Sequence, residues 1–330
     1  MKILITGVTG FVGGSLLRLF GEKKRDRPSM QVIATARRSQ LGAELARWAD
    51  VYFPADLSEG CPPVSADVCV HAAGLADDRS TARELHRANV VATHHLLDSL
   101  QDCRLFVHIS SASVYDFKDG PMSEGDATGR TAPSEYGRSK WAAEQTVREI
   151  CDRRGIAYVI LRPRAIYGVG DRVLLPRLLQ LMRPPFLFMI GKGLAPVSLT
   201  HIGHLAELIV ALVLADHPPK PDVFNVADSA AYQVRVVLTS LYAAIHHEQP
   251  RVIRIPVRVA RAYLAIHEVL GRTGALSRQS LAYLTEPALL DCTVARDTLH
   301  YAPATTFADH VSAIGHDVRV KEKARSIIHE

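Results

Sequence analysis

Tyr136 and Lys140 stand four residues apart in Pro133-Ser-Glu-Tyr-Gly-Arg-Ser-Lys-Trp-Ala-Ala-Glu144. The stretch reads as the opening of a helix, where residues at i and i+4 share one face. An ammonium held beside a phenol stabilises the phenolate and lowers a pKa that starts near about 10. Each unit of that shift is worth about 1.4 kcal/mol. The product is a tyrosine that exchanges a proton near neutral pH. A surface aromatic beside a solvated lysine has the same spacing, so the pair gains weight only from the elements around it.

Those elements begin at the N-terminus. Lys2-Ile-Leu-Ile-Thr6 reads as a short apolar strand, Gly7-Val-Thr-Gly-Phe-Val-Gly13 as a glycine-rich turn, and Gly14-Ser-Leu-Leu-Arg-Leu-Phe20 as helix. Strand, turn and helix in that order form a dinucleotide fingerprint: Gly7 permits the turn, Gly10 admits a pyrophosphate, and Gly13 allows close helix–strand packing. First-turn N–H groups then point at the phosphates. A signal peptide is disfavoured by four glycines and the lack of a small-residue cleavage site. The second strand, Met30–Ala36, is followed by Arg37 and Arg38, with no Asp or Glu between Met30 and Leu41. A carboxylate there selects NAD, whereas arginine accepts a 2′-phosphate and selects NADP. The expected coenzyme is NADP(H), with Arg37 the better placed of the pair and Arg38 in support.

With these motifs in place the chain resembles the extended short-chain dehydrogenase/reductases of the NAD(P)-dependent epimerase/dehydratase superfamily. Thr6-Gly-Val-Thr-Gly-Phe-Val-Gly13 resembles the family's coenzyme turn, and Asp56-Leu57 its acidic pair near the adenine. Val70-His-Ala-Ala-Gly74 is similar to its fourth-strand motif, and Asn89–Leu97 to its NVxGTxxLL helix with Ala92 in place of glycine. His108–Tyr115 resembles the active-site strand and Leu161-Arg-Pro-Arg-Ala-Ile-Tyr-Gly168 the segment after the sixth strand; Thr200–Ala206 and Val223–Ala227 follow in family order. The likeness covers about residues 1–230 and thins beyond. It implies Tyr136 as general acid/base, Lys140 as the group that lowers its pKa and bonds the nicotinamide ribose, and Ser111 as the hydroxyl on the substrate oxygen. Ser110 and Ser113 are alternatives to Ser111; alternation puts Ser111 and Ser113 on one side of a strand. The implied coenzyme contacts are Thr6, Gly7, Thr9, Gly10, Phe11, Val12, Gly13, Arg37, Arg38, Asp56, Leu57, Ala72, Ala73, Gly74, Lys140 and Pro163.

The whole chain agrees with that frame. Its 330 residues are 48% hydrophobic and 22% charged with a formal charge of +5, as in an ordinary globular protein. The basic tail Arg319–Arg325 is short and interrupted by Glu322, so nucleic-acid binding has little support. Five cysteines without a CxxC suit a reducing, cytoplasmic setting. No segment reaches the length of a membrane span. Strands are expected near 2–6, 30–36, 51–54, 67–71, 104–111 and 156–161, with helices near 11–23, 79–101 and 134–154. Such alternation gives an α/β fold, a Rossmann-type doubly wound parallel sheet with a smaller C-terminal substrate-binding lobe. The coenzyme domain is expected over 1–170, with 199–226 returning to it, and the lobe over 171–198 and 227–330. The loop Asp116–Pro133 precedes Tyr136 and suggests a lid. Val257–Leu270 is amphipathic and reads as a helix over the substrate pocket, with a peripheral membrane contact as the other reading.

His201 and His204 lack further readable ligands, so no metal is expected. His94 and His95 read as packing or surface, and Asn89 as either a cap or a relay residue. The function expected is NADP(H)-dependent interconversion of a ketone and a secondary alcohol on a small, largely apolar molecule. The C-terminal half resembles the 3β-hydroxysteroid dehydrogenase and dihydroflavonol-reductase branch. The alternative is a nucleotide-sugar epimerase, dehydratase or 4-reductase, with Arg235, Arg251 and Arg254 gripping a diphosphate. A non-enzymatic sensor is a third reading, opposed by the intact Ser111, Tyr136 and Lys140. The resemblance also implies a homodimer.

Overall fold

Short apolar runs separated by helices leave the chain one economical solution, a parallel sheet buried on both faces. The computed structural model describes residues 1–77, 80–117, 120–129, 132–217, 220, 222–269 and 278–328. Its central strands are β1 (Lys2–Thr6), β2 (Gln31–Ala36), β3 (Val51–Pro54), β4 (Val68–His71), β5 (Leu105–Ile109), β6 (Ala157–Pro163) and β7 (Asp222–Val226). They pair in the order β7-β6-β5-β4-β1-β2-β3, every pair parallel. The order reverses beside β1, between β1 and β4, where open sheets of this kind leave a crevice at the strand ends. β4 and β5 are buried along their whole length. The Phe11–Lys23 and Ile202–Leu214 helices cover one face through Leu16, Leu17, Phe20, Leu205, Ile209 and Val213. The other face meets Leu96 and Leu97 of Ala92–Ser99 and Val147 and Ile150 of the Glu135–Arg154 helix.

The expected helix over 79–101 begins at Ala82 and has a π turn, Arg87–Val91, at its middle; Arg79 lies outside the described residues. Capping accounts for the start: Thr81 and Glu84 form a reciprocal capping box. The Glu135–Arg154 helix is capped by Ser134, whose Oγ accepts from the Gly137 N–H at 3.0 Å, and by Gly155.

Beyond Gly168, apart from the Ile202–Leu214 helix and β7, the chain builds elements outside the central sheet. Met182–Arg183, Phe186–Ile190 and Arg251–Ile255 form a small mixed sheet. The Val234–His246 and Phe307–Ile328 helices pack together through Leu238, Leu241, Ile314 and Val318. The described part of 116–133 is bonded to β7 and to the segment at 289–291. Met122 N–H donates to Leu289 O at 2.9 Å, and the Glu124 carboxylate accepts from Asn225 N–H at 2.8 Å. Lys118, Asp119, Arg130 and Thr131 lie outside the described residues.

One buried ion pair crosses this architecture. Glu144 and Arg162, 0% and 1% exposed, meet through Nε to Oε1 at 2.9 Å and Nη2 to Oε2 at 2.6 Å. Ser110 Oγ donates to the same carboxylate at 2.5 Å, and Arg162 Nη1 donates to Tyr115 OH at 2.8 Å and Glu124 O at 2.9 Å. The network joins β5, β6, the Tyr136 helix and the 116–133 segment. Removing one partner strands a charge in a dry interior, which typically costs about 3–5 kcal/mol. Glu144→Ala should therefore lower the unfolding free energy by about that amount in chemical denaturation; a loss under about 1 kcal/mol would show that the pair is dispensable.

Candidate active site

The site forms where β5 ends against the Tyr136 helix. Gly137 decides how close the two come: a Cβ there would lie 2.0 Å from the Ser113 carbonyl oxygen. Only glycine lets the helix press its first turn onto the Ser111–Val114 segment. Ser111 caps the short 3₁₀ turn Ala112–Val114, its Oγ accepting from Ser113 N–H and donating to Ser113 Oγ, both at 3.1 Å. Ser113 Oγ lies 3.4 Å from Tyr283 OH. Ser110 points the other way, into the Glu144 carboxylate. One turn along the helix from Tyr136, Lys140 is 5% exposed and donates its Nζ to Ile109 O at 2.6 Å. Burial pulls its pKa down to about 8, with the Glu144 charge opposing. The helix is also pinned by Asn89, whose Nδ2 donates to Ser139 Oγ at 2.9 Å and to Leu75 O at 3.1 Å. Asn89 also lines the cavity that holds Ser111, Tyr136 and Lys140, so both the clamp and the relay reading stand.

Ser111, Tyr136 and Lys140 open into one cavity of about 1190 Å³. Gly10, Phe11, Val12, Ala72, Ala73, Gly74 and Pro163 line its coenzyme end. Gly13 shapes the turn from behind, since a Cβ there would lie 2.4 Å from Gly7 O. The Phe11–Lys23 helix has no side-chain cap at Gly10, so its first N–H groups stay available to an anion. This cradle fits the diphosphate of a dinucleotide.

The other implied contacts stand apart from the cavity wall. Thr6 is buried, bonding His71 Nδ1 at 2.8 Å and the Ala73 N–H at 3.1 Å, so its side chain fastens β1 to β4. Burial, with the Lys140 charge second, drives His71 down to about 3, which keeps the imidazole neutral. Arg37 and Arg38 are exposed at the end of β2. Asp56 is held by Ser58, through N–H at 3.0 Å and Oγ at 2.8 Å. Those bonds lower its pKa, and Arg37 adds to the effect. Leu57 is buried in the core.

The same cavity is lined by the apolar Leu174, Leu178, Val197, Leu199, Val237, Leu238, Leu264 and Leu284, and by Asp171, Arg172, Arg177 and Gln180. Leu264 belongs to the Val257–Val269 helix, which turns Ala260 and Leu264 inward and Val259 and Ile266 outward; Leu270 lies outside the described residues. Among the described residues no helix is long and apolar enough to cross a membrane.

Two features escaped the sequence. Arg164 lies in the cavity wall, 6% exposed; its signal was a second arginine closing a strand that already buried Arg162. His310 joins His201 and His204, and the donor atoms of all three lie within 4.8 Å of one another, which corrects the expectation of no further ligand nearby. His204 already bonds Asp228 at 2.9 Å and Thr305 at 2.7 Å, and the His201 and His310 rings stack at 3.5 Å and 9°. Through His204 the trio is bonded to Asp228 and Thr305. His94 pairs with Asp98 on the surface, and His95 bonds Leu57 O at 2.9 Å.

The fold, the glycine cradle and the Tyr136–Lys140 face together define a nicotinamide-coenzyme enzyme. Residues 3–227 match the family model for the NAD-dependent epimerase/dehydratase family, and the chain belongs to that family. It is an NAD(P)-dependent enzyme of the short-chain dehydrogenase/reductase type. A similar protein is the 4-hydroxy-2-methyl-3-oxo-4-farnesyl-3,4-dihydroquinoline-1-oxide ketoreductase of Stigmatella aurantiaca, 27% identical over 334 residues, spanning 95% of this chain and 96% of that one. The 2-alkyl-3-oxoalkanoate reductase of Stenotrophomonas maltophilia is 29% identical over 223 residues, 62% of this chain and 63% of that one. UDP-glucuronic acid 4-epimerase from Bacillus cereus, solved with NAD, superposes with a TM-score of 0.74 at 20% identity, covering 98% and 99% of the two chains, and shares the fold.

Lys140 carries its charge below a pH of about 8 and loses it above. Coenzyme affinity should weaken as pH rises through that midpoint, by up to about tenfold per pH unit beyond it. Lys140→Met should remove this dependence. Equilibrium titration of bound coenzyme across the range checks it; an identical slope in wild type and Lys140→Met would rule the contact out.

Proposed function

We propose that the chain uses NADPH to reduce a ketone on a largely apolar substrate to a secondary alcohol, or runs the reverse oxidation. One observation carries the reading: Ser111, Tyr136 and Lys140 line the same cavity as the glycine turn and a set of leucines and valines. The coenzyme, when bound, supplies or accepts the hydride. Tyr136 delivers a proton to the carbonyl oxygen as negative charge develops there, and Ser111 holds that oxygen by hydrogen bonding. Lys140 keeps the phenol acidic enough to give the proton and grips the coenzyme ribose. Arg37 and Arg38, exposed at the end of β2 with no carboxylate beside them from Met30 to Leu41, favour a 2′-phosphate and hence NADP. The two relatives above are named for reducing oxo groups on farnesyl- or alkyl-bearing molecules, which agrees with an apolar wall.

The second reading is a nucleotide-sugar epimerase, favoured by the full-length superposition on an NAD-bound 4-epimerase. Arg235, Arg251 and Arg254, the candidates to grip a diphosphate, are exposed and stand outside the cavity wall. Oxidation of NADPH with a panel of hydrophobic ketones supports the reductase; retained NAD and activity on UDP-sugars support the epimerase.

Tyr136→Phe should keep NADPH affinity while turnover falls by about 100-fold or more. Retention of more than roughly a tenth of wild-type kcat would contradict the role. Replacing Arg37 and Arg38 with Asp and Ser should lower the ratio of kcat/KM for NADPH over NADH by about tenfold or more. An unchanged ratio would remove the NADP assignment.

A further inference from the structure

Arg164 sits just past the end of β6, and its environment contrasts with that of Arg162. Both are buried, at 6% and 1% exposure. Arg162 has a carboxylate at 2.6 Å. Arg164 has no carboxylate partner among the described residues; its side chain is hydrogen-bonded to the Tyr283 hydroxyl, while its Nε is buried without any hydrogen bond. The guanidinium lies 4.7 Å from the Phe117 ring centroid and 4.8 Å from that of Tyr283. Two aromatic rings fix the plane of the fork and leave its edge as the direction of donation. That plane borders the cavity holding Ser113 and Tyr136. Asp171, a carboxylate on the same wall, is engaged by the N–H groups of Val173, Leu174 and Leu175 at 2.7, 3.0 and 2.7 Å.

A desolvated guanidinium with an orphaned N–H is costly unless something pairs with it. The Tyr283 hydroxyl satisfies part of the fork, and the Nε edge is left for a ligand in the cavity. We propose that Arg164 is a substrate-recognition residue that binds a carboxylate on the substrate, so that the preferred ketone is an oxo acid with an apolar tail. The hydrogen-bond path from Ser111 through Ser113 to Tyr283, 3.1 and then 3.4 Å, ends at one of the rings that holds Arg164. The carboxylate subsite therefore adjoins the position proposed for the ketone oxygen, and the apolar wall is left to the tail. A carboxylate is matched by the planar fork two oxygens at a time, and an ester or alcohol is not. The inference rests on this cavity being the substrate site of the proposed reductase.

The test separates binding from turnover. Decanoate, methyl decanoate and decan-1-ol are titrated into the NADP-loaded protein at about pH 7.5, where the acid is ionised. Decanoate should bind about ten- to a hundred-fold more tightly than the ester or alcohol, the range of a charge-assisted hydrogen bond. Arg164→Met should abolish the preference while leaving the alcohol's affinity within about threefold. Arg164→Lys should restore only part of it, since a point charge lacks the fork. In kinetics, 4-oxodecanoate should show a lower KM than methyl 4-oxodecanoate in wild type and not in Arg164→Met.

Selective decanoate binding with no turnover of either ketone would sink the reductase reading and leave the subsite standing. Equal binding of acid, ester and alcohol to wild type overturns the subsite, and needs no variant to be folded. A preference that survives in Arg164→Met overturns it as well. Tighter binding of UDP than of decanoate, lost in Arg164→Met, would assign the arginine to a diphosphate and overturn the carboxylate.

Discussion

Two cations are buried beneath one face of the Glu135–Arg154 helix, and Glu144 is the carboxylate that stabilises both. It holds Arg162 by a bidentate pair and opposes the loss of charge at Lys140. Tyr136, Lys140 and Glu144 follow one another at four-residue spacing, so a single helix face presents phenol, ammonium and carboxylate in line. The arrangement is high-stakes because the interior strengthens every paired charge and penalises every unpaired one. It fixes the helix against β5 and β6, and thereby fixes where the helix's first turn meets the Ser111–Val114 segment. Gly137 completes the approach by removing the side chain that would hold the two apart.

Around that clamp the molecule divides its labour. The parallel sheet and its covering helices hold the glycine cradle and the Tyr136 face, to which the proposed function gives the coenzyme and the proton. Residues after Gly168 supply most of the cavity's leucines and valines. Arg164 and Pro163 stand at the seam, just where β6 ends and the chain leaves the sheet. Residues at such strand ends face the crevice in open α/β sheets, so a change there alters the ligand without disturbing the core.

The central sheet was legible because its strands are nearly unbroken apolar runs, and a parallel sheet buried on both faces requires that. The coenzyme turn and the Tyr136–Lys140 pair were legible because their chemistry depends on short fixed spacings. The remainder depends on contacts between residues remote in the chain. Nothing local to Glu144 announces Arg162 as its partner, and nothing in His201 or His204 announces His310. Arg164 could be read only as a charge at the end of a strand; whether it faced solvent, a carboxylate or a cavity was a tertiary question. The segment 116–133 has a loop's composition, with glycines and a proline, yet Glu124 and Met122 tie it to β7 and to residues 289–291. Composition predicts an irregular backbone but not what the backbone is fastened to.

The proposed chemistry requires that the buried Lys140 ammonium make the Tyr136 phenol acidic. Ultraviolet difference titration of the wild-type protein against Tyr136→Phe isolates the ionisation of that one tyrosine, and repeating the pair in a Lys140→Met background removes the ammonium. The expected result is a phenol that ionises below about pH 8, where Lys140 still carries its charge, and at about pH 10 or above without the ammonium. The same midpoint in both backgrounds would contradict the account.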